Sequence, residues 1–202
     1  MPIQYLKADR DVRGLVQTVM QRYHPALVFA EVRVDVLMAR HVGDGDAPAV
    51  LLHGYPCAAI IGAQNAKARA LGMGDVLITV DLVSWDSLDD RGRMALIDHE
   101  LMHIEVLADG GGTLQVAKNE DNPDGPPDVF GRPSLDLNDR PRLKMRLHDW
   151  QIGGFNAIAH RWGDEALEVR NVHSFRDRRT GQYCWDFAVS EAEAREDQSD
   201  AA

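Results

Sequence analysis

Ala95-Leu96-Ile97-Asp98-His99-Glu100-Leu101-Met102-His103-Ile104-Glu105-Val106 is the stretch on which the reading of this chain turns. It sets His-Glu-x-x-His inside a run whose apolar residues recur every three or four positions, the spacing of a helix with one face in a core. Residues four apart stand one above the other on a helix, so His99 and His103 can offer two imidazole nitrogens to a single ion. Glu100 lies one position round from them. Two neutral imidazoles beside a carboxylate able to take a proton from water form the donor set of zinc hydrolases.

The flanks agree with a helix. Ser87 is expected to cap it, and its first turn carries Asp89 and Asp90, both favourable at a positive helix end. Met94, Ile97, Leu101, Ile104 and Ala108 continue the stripe, Leu96, Val106 and Leu107 widen it, and Asp109-Gly110-Gly111-Gly112 is expected to end it. A helix apolar on most sides must find partners for its two His and two Glu. The competing explanation is a buried helix with two hydrogen-bonded histidines and no ion.

A catalytic zinc takes three protein ligands and keeps its fourth position for water, so a third donor is needed. Residues 147 to 163 read as a helix in which His148, Ile152, Phe155, Ala159 and Trp162 share the core-facing stripe, which points His148 inward. His148 is the preferred third ligand, and Asp149 beside it can cap that helix or hold a His ligand in its tautomer. Asp109 stands where metzincins have their third ligand, but Val106 occupies the place of the glycine that turns their chain. Cys57 lies upstream of His99 at about the separation of the cysteine ligand in peptide deformylases. The run Gly54-Tyr55-Pro56-Cys57-Ala58 nevertheless differs from their Glu-Gly-Cys-Leu-Ser element.

Upstream, two periodicities alternate. Near residues 8 to 24, Val12, Leu15, Val16, Val19, Met20 and Tyr23 form one helical stripe, stopped at Pro25. From Leu27 to Arg40 the period is two, with Val28, Ala30, Val32, Val34, Val36 and Met38 on one face of a half-buried strand. After a turn over 43 to 48, residues 49 to 52 are expected to pair antiparallel with that strand. His53 to Gly62 reads as a bulged strand in which His53, Tyr55 and Cys57 are structural. Lys67 and Arg69 fall in a polar connection. Residues 75 to 83 form a further strand that feeds the motif helix through Ser84-Trp85-Asp86, and as a sheet edge it would bind an extended peptide through backbone hydrogen bonds.

Downstream, residues 113 to 118 suggest a short strand. Asn122 to Pro141 holds five of the nine prolines, which predicts an irregular loop of the kind that covers some active sites. Residues 164 to 175 add a short helix with Ala166, Leu167 and Val169 apolar. Arg176-Asp177-Arg178-Arg179 reads as a solvated turn, and Tyr183, Trp185 and Phe187 alternate as a last strand would. Ser190 to Ala202 has five acidic residues and no large apolar side chain, and is expected to be disordered. The expected organisation is one domain over 1–175, its irregular loop at 119–142, and an extension over 176–202.

With 45% hydrophobic residues in 202, the chain can build a core of its own. No run approaches the roughly 20 apolar residues of a membrane span. The opening Met1-Pro2-Ile3-Gln4-Tyr5-Leu6-Lys7 lacks the basic-then-apolar pattern of a secretory signal, so a cytoplasmic protein is expected. Only two cysteines, Cys57 and Cys184, argue against a disulfide framework. A net charge of -10 disfavours broad electrostatic binding to nucleic acid.

Several runs together resemble the phage metallopeptidase family: Gly54-Tyr55-Pro56-Cys57-Ala58-Ala59, then Gly72-Met73-Gly74-Asp75-Val76-Leu77-Ile78-Thr79-Val80-Asp81, Trp85-Asp86, the motif from Ala95 to His103, and His148-Asp149. The resemblance covers roughly residues 10 to 165. It implies a zincin-like α+β fold, with a small mixed or antiparallel sheet packed against the active-site helix, and a zinc peptidase acting on a peptide or protein. The expected chemistry has Zn2+ held by His99, His103 and His148 and a water deprotonated by Glu100. Tyr55, His160 and Arg146 are the candidates to stabilise the oxyanion. Two rivals share the motif: a zinc amidase acting on a small amide, and a non-catalytic zinc module related to DNA-associated SprT-like proteases, whose site would be closed by a fourth ligand such as Cys57 or Asp109.

Overall fold

A computed structural model describes residues 2–43, 47–52, 54–117, 127–149 and 154–174, the last four as backbone only. Its first element is one the sequence reading misses, the edge strand β1 (Ile3–Lys7), with alternate residues in solvent. Asp9 then accepts a hydrogen bond from the Val12 N–H at 2.9 Å and starts α1 (Arg10–Tyr23), which buries Val12, Val16, Val19 and Met20 on the expected stripe. Pro25 both stops this helix and starts α2 (Pro25–Phe29), because its fixed φ and missing N–H suit the first helical position. The strand expected from Leu27 is therefore delayed: Leu27 is buried while Val28 and Phe29 are exposed, against the alternation. Glu31, at φ 53°, turns the chain towards β2 (Val34–His41).

Residues 49 to 52 do not pair with that strand. β3 (Leu51–Leu52) folds back on β4 (Tyr55–Pro56), and β5 (Ala59–Ala63) enters the main sheet. Lys67 and Arg69 lie in α3 (Ala66–Ala70) rather than in a loop, because Asn65 caps the Ala68 N–H at 3.0 Å. β6 (Val76–Asp81) is shorter than expected, since Asp81 accepts from the Ser84 N–H at 2.8 Å and starts α4 (Leu82–Asp86). The main sheet runs β1-β2-β6-β5, with β2 and β6 parallel and both outer pairs antiparallel. β6 is therefore interior, and the peptide-accepting edge expected of residues 75 to 83 is not there. The edges are β1 and β5.

The motif helix, α5 (Asp90–Met102), starts at Asp89 and not at Ser87: Asp89 accepts from the Gly92 N–H at 2.8 Å, while Ser87 closes α4. It ends at Met102, with His103 as its C-cap, and the chain enters β7 (Ile104–Val106) at once. Ile104 and Val106 are buried as alternate residues of a strand, so positions that seemed to prolong the helical stripe obey a period of two. β8 (Gln115–Ala117), in the expected place, pairs with β9 (Asp128–Phe130), and β10 (Leu143–Met145) pairs antiparallel with β7.

The proline-rich stretch expected as an irregular loop over 119–142 thus holds β9 and a bridge between Leu135 and Pro141. Arg69 grips it, donating to Asp136 and to the Pro141 carbonyl, both at 3.1 Å, and Arg140 bonds the buried Asp75 at 2.5 Å. α6 (Asn156–Trp162) is shorter than the helix expected over 147 to 163, and a 3-10 turn (Gly163–Glu165) leads to α7 (Leu167–Ser174). The fold is α+β, a small mixed sheet with several helices.

Two apolar clusters meet at α5. Leu96, Ile97 and Leu101 pack with α1 and with Val76, Ile78 and Val80 of β6, whereas Ala95 packs with Phe155, Ile158 and Trp162. Asp98, fully buried, ties the helices together: its carboxylate bonds His24 at 2.7 Å, the Trp162 indole N–H at 2.6 Å and the Arg161 guanidinium. His53, the turn at 176–179, the strand of Tyr183, Trp185 and Phe187, and the acidic tail lie outside the described residues.

Candidate metal centre

His103, the C-cap of α5, keeps helical dihedrals (φ -68°, ψ -10°), so it holds its place one turn above His99. β10 fixes the next contact. Its pairing with β7 carries the Arg146 N–H onto the His103 carbonyl at 2.7 Å, and the Arg146 carbonyl takes the His103 Nδ1 at 2.8 Å. A carbonyl only accepts, so Nδ1 carries the proton and Nε2 keeps its lone pair. His99 is held similarly, with Nδ1 3.1 Å from Oε1 of Glu168.

Two residues beyond Arg146, His148 lies in a segment without regular secondary structure, not at the head of a helix as expected. It nevertheless points inward, placing its Nε2 3.1 Å from the Nε2 of His99. The structure thus brings His99, His103 and His148 together, with a nitrogen of each within 4.8 Å of the others. The fully buried Phe155 ring underlies all three, its centroid 5.2, 4.9 and 5.0 Å from theirs. Asp149 holds no histidine among the described residues. It accepts from the Asn156 N–H at 3.0 Å at the start of α6 and bonds the Arg146 guanidinium at 2.6 Å.

Burial and the neighbouring His103 and His99 push His148 down to about 4, which keeps it a neutral donor at pH 7. His103 is lowered too, chiefly by burial. For His99 burial also lowers the pKa, but the Glu168 hydrogen bond and the Glu100 charge outweigh it and the net shift is upward. Burial raises Glu100 to about 7, with His99 opposing and Glu168 adding to the rise.

These side chains lie in a cleft of about 610 Å³ whose walls are β5 and the segment from Met145 to His148. Asp81 donates its N–H to the Ala58 carbonyl at 2.8 Å and Gln64 donates to the Asp75 carbonyl at 2.7 Å. These two bonds set the phase of the antiparallel ladder, in which Ala59, Ile61 and Ala63 turn their N–H and C=O groups away from β6. Among the described residues nothing takes those groups.

The other expected participants separate. Cys57 lines the cleft, its thiol pKa raised by burial and by Glu100 and Asp81, but it stands outside the cluster of donors. Asp109 is exposed and faces Arg132 at 3.9 Å. Tyr55 and His160 are exposed and do not line the cleft, whereas Arg146 does. No described residue of the proline-rich stretch lines it either. Glu168 was missed. A glutamate between Leu167 and Val169 reads as a solvated turn of helix, and its burial appears only when α7 returns to α5.

The donor set fits a divalent cation. The 3.1 Å between two Nε2 atoms is repulsive for facing lone pairs, yet close to the roughly 3.3 Å separating two nitrogens bound tetrahedrally to one zinc. Oε2 of Glu168 is buried with no hydrogen-bond partner among the described residues, and with Glu100 it places two buried carboxyl groups beside the imidazoles. Among the described residues no helix is long and apolar enough to cross a membrane.

A mixed sheet lies over a helix whose two histidines meet a third in a cleft, and the three together could hold a metal ion. The model of the family described as "Putative phage metallopeptidase" matches residues 3–175, and the chain belongs to that family. No curated protein and no solved structure matches it.

Proposed function

We propose that this chain is a zinc-dependent peptidase in which His99, His103 and His148 hold the ion and Glu100 is the general base. The observation that carries the reading is the convergence of three imidazole nitrogens within 4.8 Å beside a buried carboxylate. When bound, zinc supplies Lewis acidity towards water and towards the scissile carbonyl. Glu100, raised towards neutrality by its burial, takes the proton of the attacking water and returns it to the departing amine nitrogen as the C–N bond breaks. Arg146 remains the candidate to steady the carbonyl oxygen from the cleft wall.

The substrate is an extended polypeptide. The outward amide and carbonyl groups of Ala59, Ile61 and Ala63 suit a chain laid along β5, a sequence-tolerant mode of recognition that a small amide would not need. A closed structural zinc is disfavoured, because Cys57 and Asp109 both stand outside the cluster. Glu100→Gln tests the reading. Zinc content stays near one per chain, and hydrolysis of a peptide library falls about 10²–10⁴-fold. Full activity in that variant would remove Glu100 from the mechanism.

A further inference from the structure

Glu168 is a buried charge at the first turn of α7, its side chain 1% exposed. Oε1 meets the His99 Nδ1 at 3.1 Å and, more weakly, the Phe155 N–H at 3.4 Å, while Oε2 is buried with no partner among the described residues. A second buried carboxyl group, Glu100, lines the same cleft. As a structural residue this is a poor choice, because a carboxylate taken out of water with one oxygen idle costs more than the packing it supplies.

The cost is intelligible beside a cation. Of the three clustered imidazoles, His103 is held by a neutral carbonyl, and His148 has no Nδ1 partner among the described residues. Among the described residues, His99 alone of the three has an anion on its Nδ1. We infer that Glu168 is a positioning residue: it keeps His99 as the Nδ1–H tautomer, aims Nε2 at the ion, and strengthens that imidazole as a donor. The inference rests on the zinc reading of the triad, and it makes α7, which arrives from a distant part of the chain, a component of the metal centre.

Glu168→Gln keeps the volume and shape of the side chain and removes its charge. The test measures zinc affinity by competition with a chromophoric chelator. It also reads the imidazole 15N shifts of the zinc-free protein at a pH where the rings are neutral. Zinc binding weakens about 10-fold in Glu168→Gln and about 100-fold in Glu168→Ala, and His99 changes from one tautomer to a mixture. If the alanine variant unfolds, the glutamine variant alone decides. Unchanged affinity and an unchanged His99 tautomer in Glu168→Gln, with wild type binding zinc, overturn the role of Glu168 and leave the triad standing. A wild type that binds no zinc overturns both.

Discussion

His99 and His103 stand on a capped helix packed on nearly every side, and each has its Nδ1 engaged. His148 stands on an irregular segment whose hold comes from Arg146, at 34% side-chain exposure, bonding Asp149 at 2.6 Å and lying over Phe155 at 5.1 Å. Two of the three histidines thus belong to a framework and one to a strap. The framework follows from core packing, which fixes rotamers at no cost to the site. The strap follows from β10, whose register on β7 decides where His148 falls.

Breaking the framework should have the largest effect. Asp98→Ala leaves His24, Arg161 and Trp162 without their common acceptor, and equilibrium denaturation is expected to show a loss of about 3–5 kcal/mol. A loss under 1 kcal/mol would mean that the helices do not depend on this junction.

The ligands separate next. In zinc-free protein, His99→Ala strands the buried Glu168 and should cost about 1–3 kcal/mol, whereas His148→Ala should stay within about 0.5 kcal/mol of wild type. Equal losses would erase the distinction between framework and strap.

Arg146→Ala removes the Asp149 bridge and the contact over Phe155 but keeps the carbonyl that holds His103. It should destabilise the fold by about 1 kcal/mol or less and weaken zinc less than Glu168→Gln does. A zinc loss greater than that of Glu168→Gln would make the strap the dominant anchor.

The smallest expected effect lies on the opposite wall. Ala59→Pro removes an outward N–H that the ladder with β6 does not use, so zinc affinity holds while KM for extended peptides rises roughly 2–10-fold, the worth of one hydrogen bond. An unchanged KM would move the substrate off β5.

Much of this was legible in the sequence because burial and period agreed. The α1 stripe and the helical setting of His99 and His103 needed only a spacing of three and four. The helix overran because Ile104 and Val106 satisfy both periods, and only the distant Leu143–Met145 selects the strand. His148 comes beside His99 and His103 by a route other than the helix expected over 147 to 163. Its inward aim comes from β-pairing and not from a helical stripe, although Phe155 and Trp162, placed on that stripe, are indeed buried. β1 is too short and exposed to announce itself, and Glu168 acquires its burial from tertiary contact alone. The edge strand was misassigned because strand order does not follow chain order: β6 comes later in the chain yet lies inside β5.

Zinc content of the purified protein, wild type against His148→Ala, tests the central claim most directly. One zinc per chain in wild type and little or none retained by the variant is the expected result. Equal zinc in both, or none in wild type, would contradict a centre built from His99, His103 and His148.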